Sequence, residues 1–267
     1  MSSESAAQRV FVQKEKGRIR FIRFVRIGIL VLFLLLWELL ARLSLLDSFL
    51  LSSPSRMGRT FLSLASTGEL FLHIGTTLLE TVIGFLLGTC LGIALATLFW
   101  WSETLSKIFD PYLVVLNALP KIALGPVLIV WIGAGMPAII LMSLLVSVIV
   151  TQVTVLNGFL SVEQDKITLL RAFGASKLQC FTRVVFPGAL PVTLSALKIS
   201  IGMSWVGVIV GEFLVSRAGL GYLIVYGGQV FRLDLVMMGT MVLCLLAAGM
   251  YLGVAALEKK LSARLNM

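Results

Sequence analysis

The sequence predicts an all-α integral membrane protein with six transmembrane helices. Three observations carry that prediction. Of 267 residues, 58% are hydrophobic and only 13% charged, with a mean hydropathy of +1.02; a soluble domain carries about 25% charged residues. The apolar residues gather in runs near the ~20-residue length that a helix needs to cross a bilayer. One long polar interval, residues 161–191, separates the fourth run from the fifth and has the features of a segment folded in water. The chain is long enough for several spans but not for a large soluble domain.

Residues 1–26 hold Arg9, Lys14, Lys16, Arg18, Arg20, Arg23 and Arg26 against Glu4 and Glu15. Beside a membrane span, such a basic tail marks the cytoplasmic side and anionic headgroups rather than nucleic acid. The first span is predicted over residues 27–46. It is too long for the apolar region of a signal peptide, and no small-residue cleavage site follows. Glu38 and Arg42 stand four apart, so they can pair on one helix face. The pair is either a neutralised one near the outer end or part of a polar path between helices. Residues 47–70, with Pro54 and Gly58, are read as a polar connector.

The second span is predicted over 72–99. Gly84, Gly88 and Gly92 share one face at four-residue spacing, a stripe that lets another helix approach closely in lipid. His73, the one histidine, is read as an interfacial residue, and Trp100 and Trp101 as a membrane-boundary belt. The third span, 111–133, contains Pro120, Lys121 and Pro126. Prolines release backbone groups that must find new partners. This stretch is therefore either an interrupted helix at a path or gate, or an interfacial segment whose Lys121 snorkels. A tight turn at 133–137 precedes the fourth span, 138–156.

The interval 161–191 reads as two short helices with a corner. Ser161 with Gln164, and Ser176 with Gln179, have capping-box spacing. Ile167, Leu170 and Phe173 recur every third residue to make an apolar face. Gly174 can take the left-handed conformation that ends a helix. Pro187 and Pro191 punctuate the entry to the next run. The interval is either a solvated loop or a docking surface, with Leu170 and Phe173 exposed between basic flanks. The fifth span, 192–215, carries Lys198 near its start, read as snorkelling to the inner surface. Glu212 near its end meets the outer surface or faces the path. A polar connector with Arg217, Arg232 and Asp234 leads to the sixth span, 235–257, and a basic tail, 258–267.

Six spans place both termini and the 161–191 loop on one side, and all three are net basic. By the positive-inside rule that side is cytoplasmic, so the net charge of +9 is first a topology signal. Cys90, Cys180 and Cys244 lack metal-ligand spacing and suggest no disulfide framework. No G-x-x-x-x-G-K-[ST] phosphate loop is present, nor is a catalytic constellation.

The stretch RAFGAS at 171–176, followed by PGALP at 187–191, resembles the cytoplasmic loop of permease subunits of binding-protein-dependent ABC importers. That loop reads Glu-Ala-Ala, three residues, Gly, nine residues, Ile-x-Leu-Pro. Gly174, Val184, Phe186 and Pro187 take the matching positions, whereas Thr168, Leu169 and Leu170 stand where Glu-Ala-Ala would be. Residues 77–88, 119–135 and 211–225 extend the resemblance to the nitrate/sulfonate/taurine branch, which is itself similar to thiamine-precursor importers. Glu80 replaces an arginine common in those relatives.

The resemblance implies a type I importer permease (MetI-like) fold with its core at 72–257. It implies that 161–191 couples to an ATPase through Glu163, Gln164, Asp165, Thr168, Leu170, Arg171, Ala172, Phe173, Gly174, Ala175, Ser176 and Pro187. Glu80, Pro120, Lys121, Pro126 and Glu212 are the candidates for the path. Implied partners are a second permease copy, two ATPase subunits that bind the ATP and Mg, an extracytoplasmic solute-binding protein and the lipid bilayer, with no nucleic acid. The chain itself would hold no cofactor or metal and would be a transport subunit rather than an enzyme. The competing expectation is a gradient-driven secondary transporter, which calls for an ionisable relay or an inverted repeat. Glu38, Lys121 and Glu212 are scattered, and no convincing repeat relates the two halves.

Overall fold

The computed structural model describes residues 6–43 and 52–264, and every regular element among them is helical. From Ala6 onward the basic N-terminal stretch is continuous with the first helix, α1 (Ala6–Arg42), whose apolar part runs from Arg20 to Arg42. The predicted end at residues 44–46 lies outside the described residues. Large apolar side chains such as Ile29, Leu32 and Leu35 are exposed along α1, as expected of a helix that meets lipid on most of its surface.

The expected connector before the second span is a helix, α2 (Pro54–Thr67). Its start is local chemistry. The Ser53 side chain accepts the Arg56 N–H, and Pro54 sits in the first turn, where its missing donor costs nothing. It stops at Gly68, which has φ +82° and donates to the Ala65 carbonyl. One side of α2 buries Met57 and Thr60. The Thr60 hydroxyl donates to Asp234 Oδ2 at 2.5 Å.

Three helices form the centre: α3 (Glu69–Trp101), α6 (Met136–Leu160) and α9 (Leu190–Val215). The glycine stripe does what its spacing predicts. Gly84, Gly88 and Gly92 of α3 lie against Ser143, Ser147 and Thr151 of α6, which repeat at the same interval. Ser147 and Thr151 donate back to the carbonyls four residues earlier, both at 2.8 Å. Their hydroxyls are thus satisfied within their own helix and can face a glycine surface in a water-poor interior. On the other side of α6, Gly207 and Gly211 of α9 approach Ser143 and Ile139. Ser143 donates across to the Ser204 carbonyl at 3.1 Å.

The third span departs most from expectation. Its helix starts earlier, at α4 (Glu103–Ala118), with Ser102 as side-chain cap and Pro111 inside it. At Pro120 the chain turns through a short 3-10 turn, Lys121–Leu124, into α5 (Gly125–Ile132), and the two parts lie 87° apart. Pro120 supplies no N–H, and Pro126 occupies the first turn of α5, where it is tolerated. Helix α4 buries no residue. The described residues contain five helices long and apolar enough to span a membrane, or six if this bent pair counts as one. Six is the predicted number.

After the polar interval and α9, the expected polar connector is again mostly a helix, α10 (Leu220–Gln229), which buries Leu220, Leu223 and Gly227. The last helix, α11 (Leu233–Arg264), absorbs the first part of the predicted C-terminal tail. Lys198 does not snorkel freely: its ammonium meets Glu258 of α11 at 2.8 Å. Two apolar clusters mark the ends of the bundle. One gathers Val155, Phe159, Ile167, Cys180 and Val185 beside the polar interval. The other gathers Met57, Leu70, Leu220, Leu235 and Met238 at the opposite end.

Candidate functional site

The polar interval folds as α7 (Gln164–Ala172), a corner, α8 (Lys177–Cys180), a widened π turn over Phe181–Val185 and a last short turn. The second capping box forms. Ser176 Oγ accepts the Gln179 N–H at 3.3 Å, and Gln179 Oε1 accepts the Ser176 N–H at 2.8 Å. The first does not: Ser161 closes α6 and donates to the Gly158 carbonyl at 2.9 Å, leaving Glu163 as an N-cap without a side-chain bond. Gly174 has φ +82°. The N–H groups of Gly174 and Ala175 return to the carbonyls of Arg171 and Leu170, at 2.9 and 3.0 Å. These bonds close the corner.

The apolar face predicted at Ile167, Leu170 and Phe173 is divided. Ile167 is buried, and Leu170 packs against the same cluster as Val155 and Phe159. Phe173 is 81% exposed, and its outward companions are Leu169 and Leu178. The knob therefore consists of Leu169 and Phe173, four apart on one helix face, rather than Leu170 and Phe173. The i, i+3 spacing found the helix but could not tell which flank of it the α6 end would cover. Glu163, Gln164, Asp165, Thr168, Arg171, Ala172, Ser176 and Pro187 are exposed around it, and Ala175 is half-buried. Lys166 pairs locally with Glu163 at 3.1 Å.

Of the path candidates, Pro120 is exposed, and Lys121 donates to the Asn117 carbonyl at 3.1 Å within the bent pair. Glu80 and Glu212 come together. Each is 1% exposed, and their carboxyl groups are close neighbours in the interior. Glu212 therefore does not meet the outer surface; it is enclosed between α3, α9 and α10. Glu80 sits at a cleft of about 390 Å³ whose other walls include Thr76, Gly135, Ser216 and Arg217.

The environment of Glu212 explains His73 as well. Helix α10 begins with donors that lack partners inside the helix. The Gly219 N–H goes to His73 Nδ1 at 2.9 Å, the Leu220 N–H to Thr77 Oγ1 at 2.8 Å, and the Gly221 N–H to Glu212 Oε2 at 2.5 Å. His73 is thus a buried cap stacked on Tyr222, not an interfacial residue. Sequence reasoning missed His73 and Thr77 in this role because the element they cap lies more than 140 residues away.

The described helices thus form a bundle of membrane-spanning length with a folded polar corner at one end and a tied-down loop at the other. Residues 88–263, more than half of the chain, match the family described as binding-protein-dependent transport system inner membrane component, and the chain belongs to it. It is an ABC importer permease.

Among its relatives is the taurine transport system permease protein TauC of Escherichia coli, 28% identical over 88% of this chain and 88% of the relative. Another is the formylaminopyrimidine transport permease protein ThiX of Halalkalibacterium halodurans, 31% identical over 72% of this chain and 76% of the relative. Of solved structures, an inward-facing MetNI methionine ABC transporter superposes with a TM-score of 0.61 at 21% identity, over 72% of this chain and 95% of that one. That superposition bears out the type I importer fold.

Proposed function

We propose that two copies of this chain form a path for a small solute, and that an ATPase docks on the α7–α8 corner and drives it. The observation that carries this reading is the Leu169–Phe173 knob. It is apolar, exposed and ringed by charged side chains, on two helices whose geometry is fixed by Gly174 and the Ser176–Gln179 box. A protruding apolar helix face of this kind suits a groove on a soluble partner. Glu163, Gln164, Asp165, Thr168, Arg171 and Ala172 supply the polar rim, and ATP and Mg belong to the partner.

The corner end also carries Lys166, Arg171, Lys177 and Arg183, and the positive-inside rule makes it cytoplasmic together with both termini. The opposite end, with its cleft and the α9–α10 loop, then faces an extracytoplasmic binding protein. The likeness to TauC favours a small solute that carries a sulfonate group, and that to ThiX a thiamine-precursor-type pyrimidine.

The test is purification of the tagged chain in mild detergent, with mass spectrometry of what accompanies it. The expected result is a nucleotide-binding subunit at equal stoichiometry. A chain that stays alone after cross-linking in the native membrane would overturn the docking of an ATPase on this corner.

A further inference from the structure

We propose that Lys177 is a positioning residue that ties the corner to α3, so that movement of the corner shifts the far end of that helix. The proposal rests on the corner being the ATPase dock. Lys177 is the first residue of α8, and the capping box around Ser176 fixes its backbone. Its ammonium donates to the Trp101 carbonyl at 2.6 Å, a contact across 76 residues of chain. Trp101 ends α3, so this carbonyl belongs to the last turn, whose acceptors lack helical partners and carry the negative end of the helix dipole. The same ammonium lies 5.6 Å from the Trp100 ring centroid and 5.7 Å from that of Trp101, within cation–π range. Behind it, Trp100 meets Phe181 of the π turn at 4.9 Å, and Phe181 meets Phe159 of α6 at 5.4 Å.

Chain connectivity makes this contact matter. The corner is covalently continuous with α6 before it and with α9 after it. Helix α3 has no covalent link to the corner; it packs on α6 along the glycine stripe, and Lys177 is the contact that joins its C-terminal end to α8 directly. Yet α3 holds the opposite end together, because His73 and Thr77 cap α10 and Glu80 meets Glu212. At 33 residues it is one helix about 50 Å long. Pulling on its C-terminal end through Lys177 displaces its N-terminal end, and with it the α9–α10 loop.

The experiment uses the complete complex with its ATPase subunits in nanodiscs. The three native cysteines are replaced by serine, and Thr76→Cys is placed in the far cleft. A charged thiol reagent reports the labelling rate of this cysteine in the nucleotide-free state and after trapping with ATP and vanadate. With Lys177 present, the rate changes on trapping. Lys177→Met loses that change while the ATPase remains bound and hydrolyses ATP. Lys177→Arg keeps it, because a guanidinium also donates to a carbonyl and lies over indole rings.

A wild-type response in the Met variant would overturn the proposal, as would a wild-type complex whose labelling does not change on trapping. Release of the ATPase by Lys177→Met would make the residue part of the dock instead of a strut. Absence of any ATPase on the unmutated chain is a separate result, and it would bring down the coupling reading first.

Discussion

The Thr77 hydroxyl donates to Glu212 Oε1 at 2.6 Å while its oxygen accepts the Leu220 N–H at 2.8 Å. One side chain on α3 thereby joins α9 to the start of α10. Thr77→Val keeps the shape and removes both bonds, leaving a buried N–H and a carboxylate oxygen each short of a partner. The expected cost is about 1–3 kcal/mol of unfolding free energy in mixed micelles. Thr77→Ser, which keeps the hydroxyl, should lose much less.

Glu80 and Glu212 are buried neighbours, but they are not equivalent. Glu212 accepts from the Thr77 hydroxyl and the Gly221 N–H, whereas Glu80 Oε2 is buried with no partner. Two carboxyl groups in contact repel unless a proton lies between them. Glu80→Gln supplies the bridging donor without needing that proton, so its melting temperature should equal or exceed the wild type. Glu212→Gln turns an acceptor oxygen into an NH₂ facing a donor, and should destabilise by about 1–3 kcal/mol. Thermal unfolding of both variants in one detergent checks the asymmetry; equal losses would contradict it.

What could be read in advance follows the range of the physics involved. Gly84, Gly88 and Gly92 announced a helix contact because a four-residue repeat is local, and so did the Ser176–Gln179 box and the left-handed Gly174. Helix α2 carried legible signals, Ser53–Pro54 at its start and Gly68 at its end, which the polar composition between them concealed. The first capping box failed because α6 extends to Leu160 and draws Ser161 into its own C-terminus. The capping of α10 by His73, Thr77 and Glu212 was not legible. It requires three separate helices to converge, and no spacing within any one of them encodes that.

The small-residue contacts differ in what stands opposite each glycine. A methyl on Gly88 would meet the Ser147 hydroxyl, the end of a side chain that can rotate. A methyl on Gly207 would fall 2.5 Å from the Ser143 Cα and 3.0 Å from the Met142 carbonyl oxygen, where only the helix backbone can yield. Gly207→Ala should therefore cost more than Gly88→Ala, within the roughly 1–3 kcal/mol typical of overpacking. Gly249, in α11 with nothing within 4 Å of a built methyl, is the control. Alanine there should stabilise by about 0.5–1 kcal/mol through helix propensity. Unfolding in mixed micelles orders the three.

The corner separates a residue that folds from residues that dock. Ile167 and Leu170 face the cluster around Val155 and Phe159, whereas Leu169 and Phe173 face outward. Leu170→Asp places a charge against that apolar cluster and should destabilise the permease itself. Leu169→Asp with Phe173→Asp leaves the fold intact, since neither side chain is buried, and should abolish recovery of the ATPase subunit in a pull-down. Gly174→Val acts on the angle between the helices instead. At φ +82° a β-branched residue is sterically opposed, so the corner reopens and uptake should fall while membrane insertion persists. A double aspartate variant that still recovers the ATPase would move the dock off this face. Normal uptake by Gly174→Val would show that the corner's angle does not transmit the stroke.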